Sequence, residues 1–129
     1  MITGTVNADC EAVIQLVVVG PNQQQLTAVG VIDTGFSGDL TLPPAAIATL
    51  GLIWLGREPG ILADGSTDLF DVYSAIVLWD GQPRSIEVEA ANTQPLVGMN
   101  LLRRHSLHME IVPGGPVEIV ALPSSQRVG

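Results

Sequence analysis

Only one cysteine, Cys10, occurs among the 129 residues, so no intrachain disulfide can brace the fold. That suits a reducing compartment, and a cytoplasmic protein is the expectation. Cys10 has no base or second thiol beside it in the sequence and reads as inert. Charged residues make up only 14%, and none of the basic ones form a polybasic stretch. An anionic membrane surface therefore has nothing to hold. Long apolar runs are missing too. Runs such as Leu16 to Val19 are far short of a membrane span. Met1 to Val6 lacks the basic start and apolar stretch of a signal peptide. The formal net charge is −8 and the pI near 4.3, which repels a phosphate backbone and argues against nucleic acid.

What is present is apolar. Hydrophobic residues reach 47%, ample for a packed core and too many for a disordered chain. The length suits a single domain spanning residues 1–129, with no repeat or linker. Residues of β character dominate. Ile2 to Val6, Ala12 to Val19, Gln25 to Ile32 and Leu40 to Leu42 read as strands. The turn signal Gly20-Pro21-Asn22 separates the second and third. Pro43 to Leu50 reads as a short helix, with proline in its first turn and Gly51 at its end. Asp64-Gly65-Ser66, between Gly60–Ala63 and Thr67–Leu78, signals one hairpin, and Asp80-Gly81 before Ser85–Ala90 another. Met99 to His105 reads as a short amphipathic helix. Leu107–Val112 and Val117–Leu122 form a last hairpin, and the tail from Pro123 is polar. Such a pattern predicts a mostly antiparallel β-barrel or sandwich.

Asp33 is the residue most in need of explanation. It ends an apolar strand (Val29, Val31, Ile32), where a carboxylate is costly unless it is paired or used. Thr34, Gly35, Ser37 and Gly38 follow it, small enough to let backbone N–H groups approach. Other chemistries fare worse. His105 and His108 straddle a helix end and a strand start without accompanying carboxylates or thiols, so capping or exposure is expected rather than metal. Ser37 lacks the glycine pattern and strand–helix context of a hydrolase nucleophile. Trp54 and Trp79 read as core or rim residues.

The run of two apolar residues and Asp33-Thr34-Gly35 resembles the active-site signature of the retropepsin-like aspartic proteases. Two further landmarks follow in that family's order. Leu62-Ala63-Asp64-Gly65-Ser66 lies where the family has its flap hairpin, and Leu96-Val97-Gly98 opens a short helix. The resemblance implies an all-β fold, a closed acid-protease barrel of short antiparallel strands with two short helices. It also implies an aspartic endopeptidase with Asp33 as the catalytic group and no metal or cofactor. Two neighbouring carboxylates share one proton, the ionised one activating water and the protonated one polarising the scissile carbonyl. The chain has one Asp-Thr-Gly, so a homodimer is implied. Thr34, Gly35, Leu96, Val97 and Gly98 would support the loop; Phe36, Ser37, Ala63, Asp64 and Gly65 would meet a peptide or protein substrate. Phe36 departs from the small residue usual there, and its ring is expected beside the aspartates, where it narrows the site. This departure keeps a second reading open, a peptide-binding module on the same fold without turnover.

Overall fold

The computed structural model describes residues 1–62 and 64–123. The elements in chain order are β1 (Ile2–Val6), β2 (Ala12–Val19), β3 (Gln25–Ile32), β4 (Leu40–Leu42), α1 (Pro44–Leu50), β5 (Ile53–Ile61), β6 (Thr67–Trp79), β7 (Gln82–Ala90), β8 (Leu96–Val97), α2 (Met99–Leu102), β9 (His105–Met109) and β10 (Pro116–Ala121). Alternation makes the strands. In β2, Ala12, Ile14, Leu16 and Val18 are buried while their neighbours face outward. In β6, Val72, Ala75, Val77 and Trp79 are buried, with Ile76 and Leu78 on the outer face. Trp79 thus joins the core, whereas Trp54 is exposed on β5. Asp80 and Gly81 both take positive φ (53° and 80°), the two-residue turn whose twist suits a hairpin. α1 starts after Pro43, and Gly51 ends it in the left-handed region, its N–H bonding to Ala48 O.

The strands form one ten-stranded sheet in the order β5-β6-β7-β4-β8-β3-β2-β1-β10-β9. β6 also pairs with β2, so β6, β7, β4, β8, β3 and β2 close into a ring. The length of β6 permits this: Thr67 to Ser74 pair with β5, and Ile76 to Leu78 reach β2. Most pairs are antiparallel, as expected. Two are parallel: β4 with β7 and β3 with β8. Both parallel partners arrive from distant parts of the chain, a relation that local patterning does not reveal. The core is continuous, from Val6 and Ile14 through Leu40, Leu42 and Val88 to Leu101, Val117 and Ile119.

Several boundaries differ from expectation; β7, for one, begins at Gln82 rather than Ser85. β5 begins at Ile53 rather than Gly60, because Gly56, Arg57, Glu58 and Pro59 broke the apolar pattern although β6 pairs with all four. α2 stops at Leu102, short of His105. Arg104 takes a positive φ of 66°, which ends the helix and starts β9 two residues early. The last hairpin turns at Glu110–Gly115, where Gly114 has φ 77° and Glu110 N–H bonds to Pro116 O. Of the polar tail, residues 124–129 lie outside the described residues. No helix among those described is long and apolar enough to cross a membrane.

Leu40 is fully buried between β8 and β7, opposite Val97 and Val88. Leu40→Ala leaves a cavity at this junction and is expected to cost about 2–5 kcal/mol. Urea denaturation would read this as a lower midpoint at unchanged slope.

Candidate active site

The loop from Asp33 to Asp39 straddles the end of β8. β3 enters it parallel to β8, with Val31 opposite Leu96 and Ile32 opposite Val97. β4 leaves it on the other side of β8, with Leu40 opposite Val97. Hydrogen bonds lock the first arm: Val31 N–H to Pro95 O and Asp33 N–H to Val97 O, both 2.9 Å. The turn closes on itself through Phe36 N–H to Asp33 O at 3.1 Å.

α2 completes the clasp. The first N–H groups of any helix lack internal partners. Here the loop supplies them: Gly98 N–H bonds Asp39 O (2.9 Å), Met99 N–H bonds Phe36 O (2.8 Å) and Asn100 N–H bonds Gly38 O (3.1 Å). The approach is so close that a Cβ on Gly98 would lie 2.2 Å from Gly38 O. Gly98 is therefore demanded by contact rather than by backbone flexibility.

Asp33 itself is half-buried, and Thr34 and Gly35 after it are exposed. Gly35 N–H donates to Asp33 Oδ1 at 2.9 Å. A Cβ at residue 35 would sit 3.3 Å from the same oxygen, crowding the carboxylate. The Phe36 ring packs over Gly38 and Gly98, so close that a Cβ on either would come within 2.7 Å of it. The ring fills the space under the loop that two glycines leave free. Ser37 is exposed at the loop's outer side. Leu96 is half-buried, and Val97 and Gly98 are buried behind the loop.

Asp64 and Gly65 lie apart from Asp33 in the chain, at the tip of the β5–β6 hairpin; Ala63 lies outside the described residues. The tip is built by Asp64, whose Oδ1 accepts from Ser66 N–H (2.8 Å) and from the Ser66 hydroxyl. These bonds, the hydroxyl's first, hold the Asp64 carboxyl below its ordinary value. Gly65 takes φ 85° and bonds Leu62 O. Asp64 here is a turn residue in its own right. Around it Ile61, Leu62 and Leu69 are exposed apolar side chains.

Sequence reasoning missed three residues that hold the site. Asp39 accepts from Asn100 Nδ2 (2.7 Å) with one oxygen and from Glu87 N–H (3.0 Å) with the other, tying the loop to α2 and β7. Thr41 is buried, and its hydroxyl accepts from Leu96 N–H at 2.9 Å. Arg84 donates to Leu101 O (2.9 Å) and Asn100 O (3.2 Å) at the far end of α2. A lone carboxylate directly before the buried run Leu40 to Leu42 was the available signal for Asp39. The others depend on pairing across the fold. His105 caps as well, its Nδ1 lying 2.8 Å from Arg103 O. His108 is exposed beside Glu110. Among the described residues no three His, Cys, Asp or Glu side chains gather as metal ligands.

No protein-family model and no curated protein sequence matches the chain. Among solved structures it is similar to the crystal structure of a retropepsin-like aspartic protease from Rickettsia conorii. The TM-score is 0.59 at 20% sequence identity, over 93% of this chain and 89% of that one. The likeness is one of fold, which in this chain is all-β with two short helices.

Two tests address the site's supports. Thr41→Val keeps shape but removes the acceptor for Leu96 N–H. A loss of about 1–3 kcal/mol is expected, with faster hydrogen exchange at the Leu96 amide. Glu89, on β7, has a carboxylate close to Gly38. Burial first, then the negative charges of Glu58, Glu87 and Asp39, raise its pKa above the ordinary 4.5. The folded chain thus holds this proton more tightly than the unfolded chain. The associated stability is full below the ordinary value and lost as pH rises through the folded one. Glu89→Gln should therefore raise the thermal midpoint at pH 7 and leave it near the parent's below pH 4.

Proposed function

We propose that this chain is an aspartic endopeptidase that works as a homodimer, with Asp33 of each copy forming the catalytic pair. The observation that carries the reading is the clasped loop. A half-exposed carboxylate sits at the end of an apolar strand, with the Gly35 N–H bonded to it. It does so on a fold similar to that of a retropepsin-like aspartic protease. Nothing else in the described chain offers a second carboxylate of the same setting, and the exposed Thr34 and Gly35 beside it leave room for another copy. A two-fold axis through the paired loops would bring two Asp33 side chains together.

The chemistry then follows from two carboxylates holding one proton between them. The ionised member takes a proton from water as the oxygen attacks the scissile carbonyl carbon. The protonated member donates to the carbonyl oxygen, giving a neutral gem-diol. Collapse returns the carbonyl and breaks the C–N bond, and the nitrogen leaves with a proton from the pair. Thr34 would tie the two loops together, and Leu96-Val97-Gly98 would keep each rigid. The β5–β6 hairpin would close over an extended peptide, with Asp64 and Gly65 at its tip, excluding water. Ile61, Leu62 and Leu69 give that hairpin an apolar face to lay on substrate or on the partner's hairpin. Phe36, held over Gly38 and Gly98, and Ser37 would border the cleft on the loop side.

Asp33→Asn is expected to lower turnover of a diverse peptide library by on the order of 10³-fold or more. Parent activity per chain should rise with protein concentration, in step with a monomer–dimer equilibrium read by sedimentation. Equal cleavage by the parent and Asp33→Asn would reject the proposal. Undiminished peptide binding by both, with cleavage by neither at any pH, would leave the binding-module reading.

A further inference from the structure

The chain has no lysine; its five cations are all arginine, set against thirteen carboxylates. Three of the five gather in one place. Arg84, Arg103 and Arg104 line a cleft of about 380 Å³ with Asn100 and His105, and among the described residues no carboxylate lines it. In a protein of net charge −8, such a gathering is not the product of a generally basic surface.

The cleft is built rather than incidental. Arg84 is half-buried and pinned: two of its nitrogens donate to Leu101 O and Asn100 O, and its guanidinium lies 5.7 Å from the centre of the Trp79 ring. Those partners orient the guanidinium and leave its charge unneutralised. His105 is pinned also. The Trp79 indole N–H can only donate, and it reaches His105 Nε2 at 3.1 Å. The imidazole proton is therefore on Nδ1, which donates to Arg103 O at 2.8 Å. With both nitrogens engaged, His105 positions the turn rather than touching a ligand. That turn carries Arg104 in the left-handed region, φ 66°, and places two consecutive arginines on one cleft. Arg103 is exposed, and among the described residues no carboxylate forms an ion pair with Arg103 or Arg84.

We infer that this cleft binds a phosphate-type oxyanion, either free or carried on a peptide, held by Arg103 and Arg84 with Asn100 beside them. Guanidinium groups match tetrahedral oxyanions with paired N–H donors. A dianion also balances two unpaired arginines, which a single carboxylate does not. A small anion escapes the repulsion that a net charge of −8 imposes on a polyanion. The inference does not depend on peptide cleavage.

The test is a titration of the full chain with inorganic phosphate at constant ionic strength. Calorimetry and the NMR signals of the Trp79 indole and His105 ring report binding. Saturation in the millimolar range or tighter is expected. Sulfate should compete and chloride should not. Arg103→Gln, which alters an exposed side chain, should weaken binding at least about tenfold while keeping the parent's thermal midpoint without phosphate. Arg57→Gln, which removes a cation paired with Asp71 on β5, should bind like the parent. A phosphoserine peptide binding more tightly than inorganic phosphate would mark a modified protein as the source; weaker binding would mark the free ion. Absence of saturation by either probe, or equal affinity in parent and Arg103→Gln, would overturn the inference.

Discussion

Three backbone N–H groups, those of Gly98, Met99 and Asn100, hold together the half of this molecule that carries Asp33. They open α2, where no helix can satisfy its own donors, and they are satisfied by carbonyls of the loop that carries Asp33. Neither partner is stable alone. A loop of small residues with Asp33 at one end has little to fix it, and a helix of four residues is too short to persist by itself. Joined, each supplies what the other lacks. Each such bond nets only about 0.5–1.5 kcal/mol, but a buried donor left unmet costs about 1–3 kcal/mol. The arrangement is therefore better understood as one that forbids alternatives. It also explains the packing around it. Gly98 admits Gly38 O, Phe36 fills the remaining gap, and Leu40 brings the returning strand against Val97.

Much of this was legible in the residues themselves. Strands β1 to β4 follow their alternation to the residue, and α1 follows its proline and Gly51, because those signals are local. Asp33-Thr34-Gly35 and Leu96-Val97-Gly98 stood out as a pair through their order in a known family, and the fold joins them side by side. Illegible features share one cause: they are decided by a distant partner. The first half of β5 carries Gly56, Arg57, Glu58 and Pro59, a poor strand in isolation, yet β6 enforces it. α2 ends early because Arg84 and His105 take its last carbonyls and Arg104 turns the chain. Asp39 looked like one more loop carboxylate, and its two bonds reach forty-eight and sixty-one positions onward. The packing of Phe36 against Gly98 was not legible either, since nothing in its neighbourhood announces the glycine at 98.

The charges are sorted about α2. On the loop side, Asp39 meets Asn100, and burial, then the negative charges of Glu58, Glu87 and Asp39, raise the pKa of Glu89. At the opposite end Arg84 donates to the last carbonyls, the favourable polarity for a cation at a helix terminus. Asn100 belongs to both neighbourhoods, its side chain on Asp39 and its carbonyl on Arg84. One short helix is thereby gripped at both ends by groups of opposite sign.

The parallel pairing of β3 with β8 has a consequence for synthesis on the ribosome. Asp33 leaves the exit tunnel long before Val97 and the donors of α2 exist. Pairings between segments so far apart form slowly, because a long loop must close before any contact rewards it. A nascent chain that has emerged only as far as β7 therefore displays the aspartate on an unclasped loop.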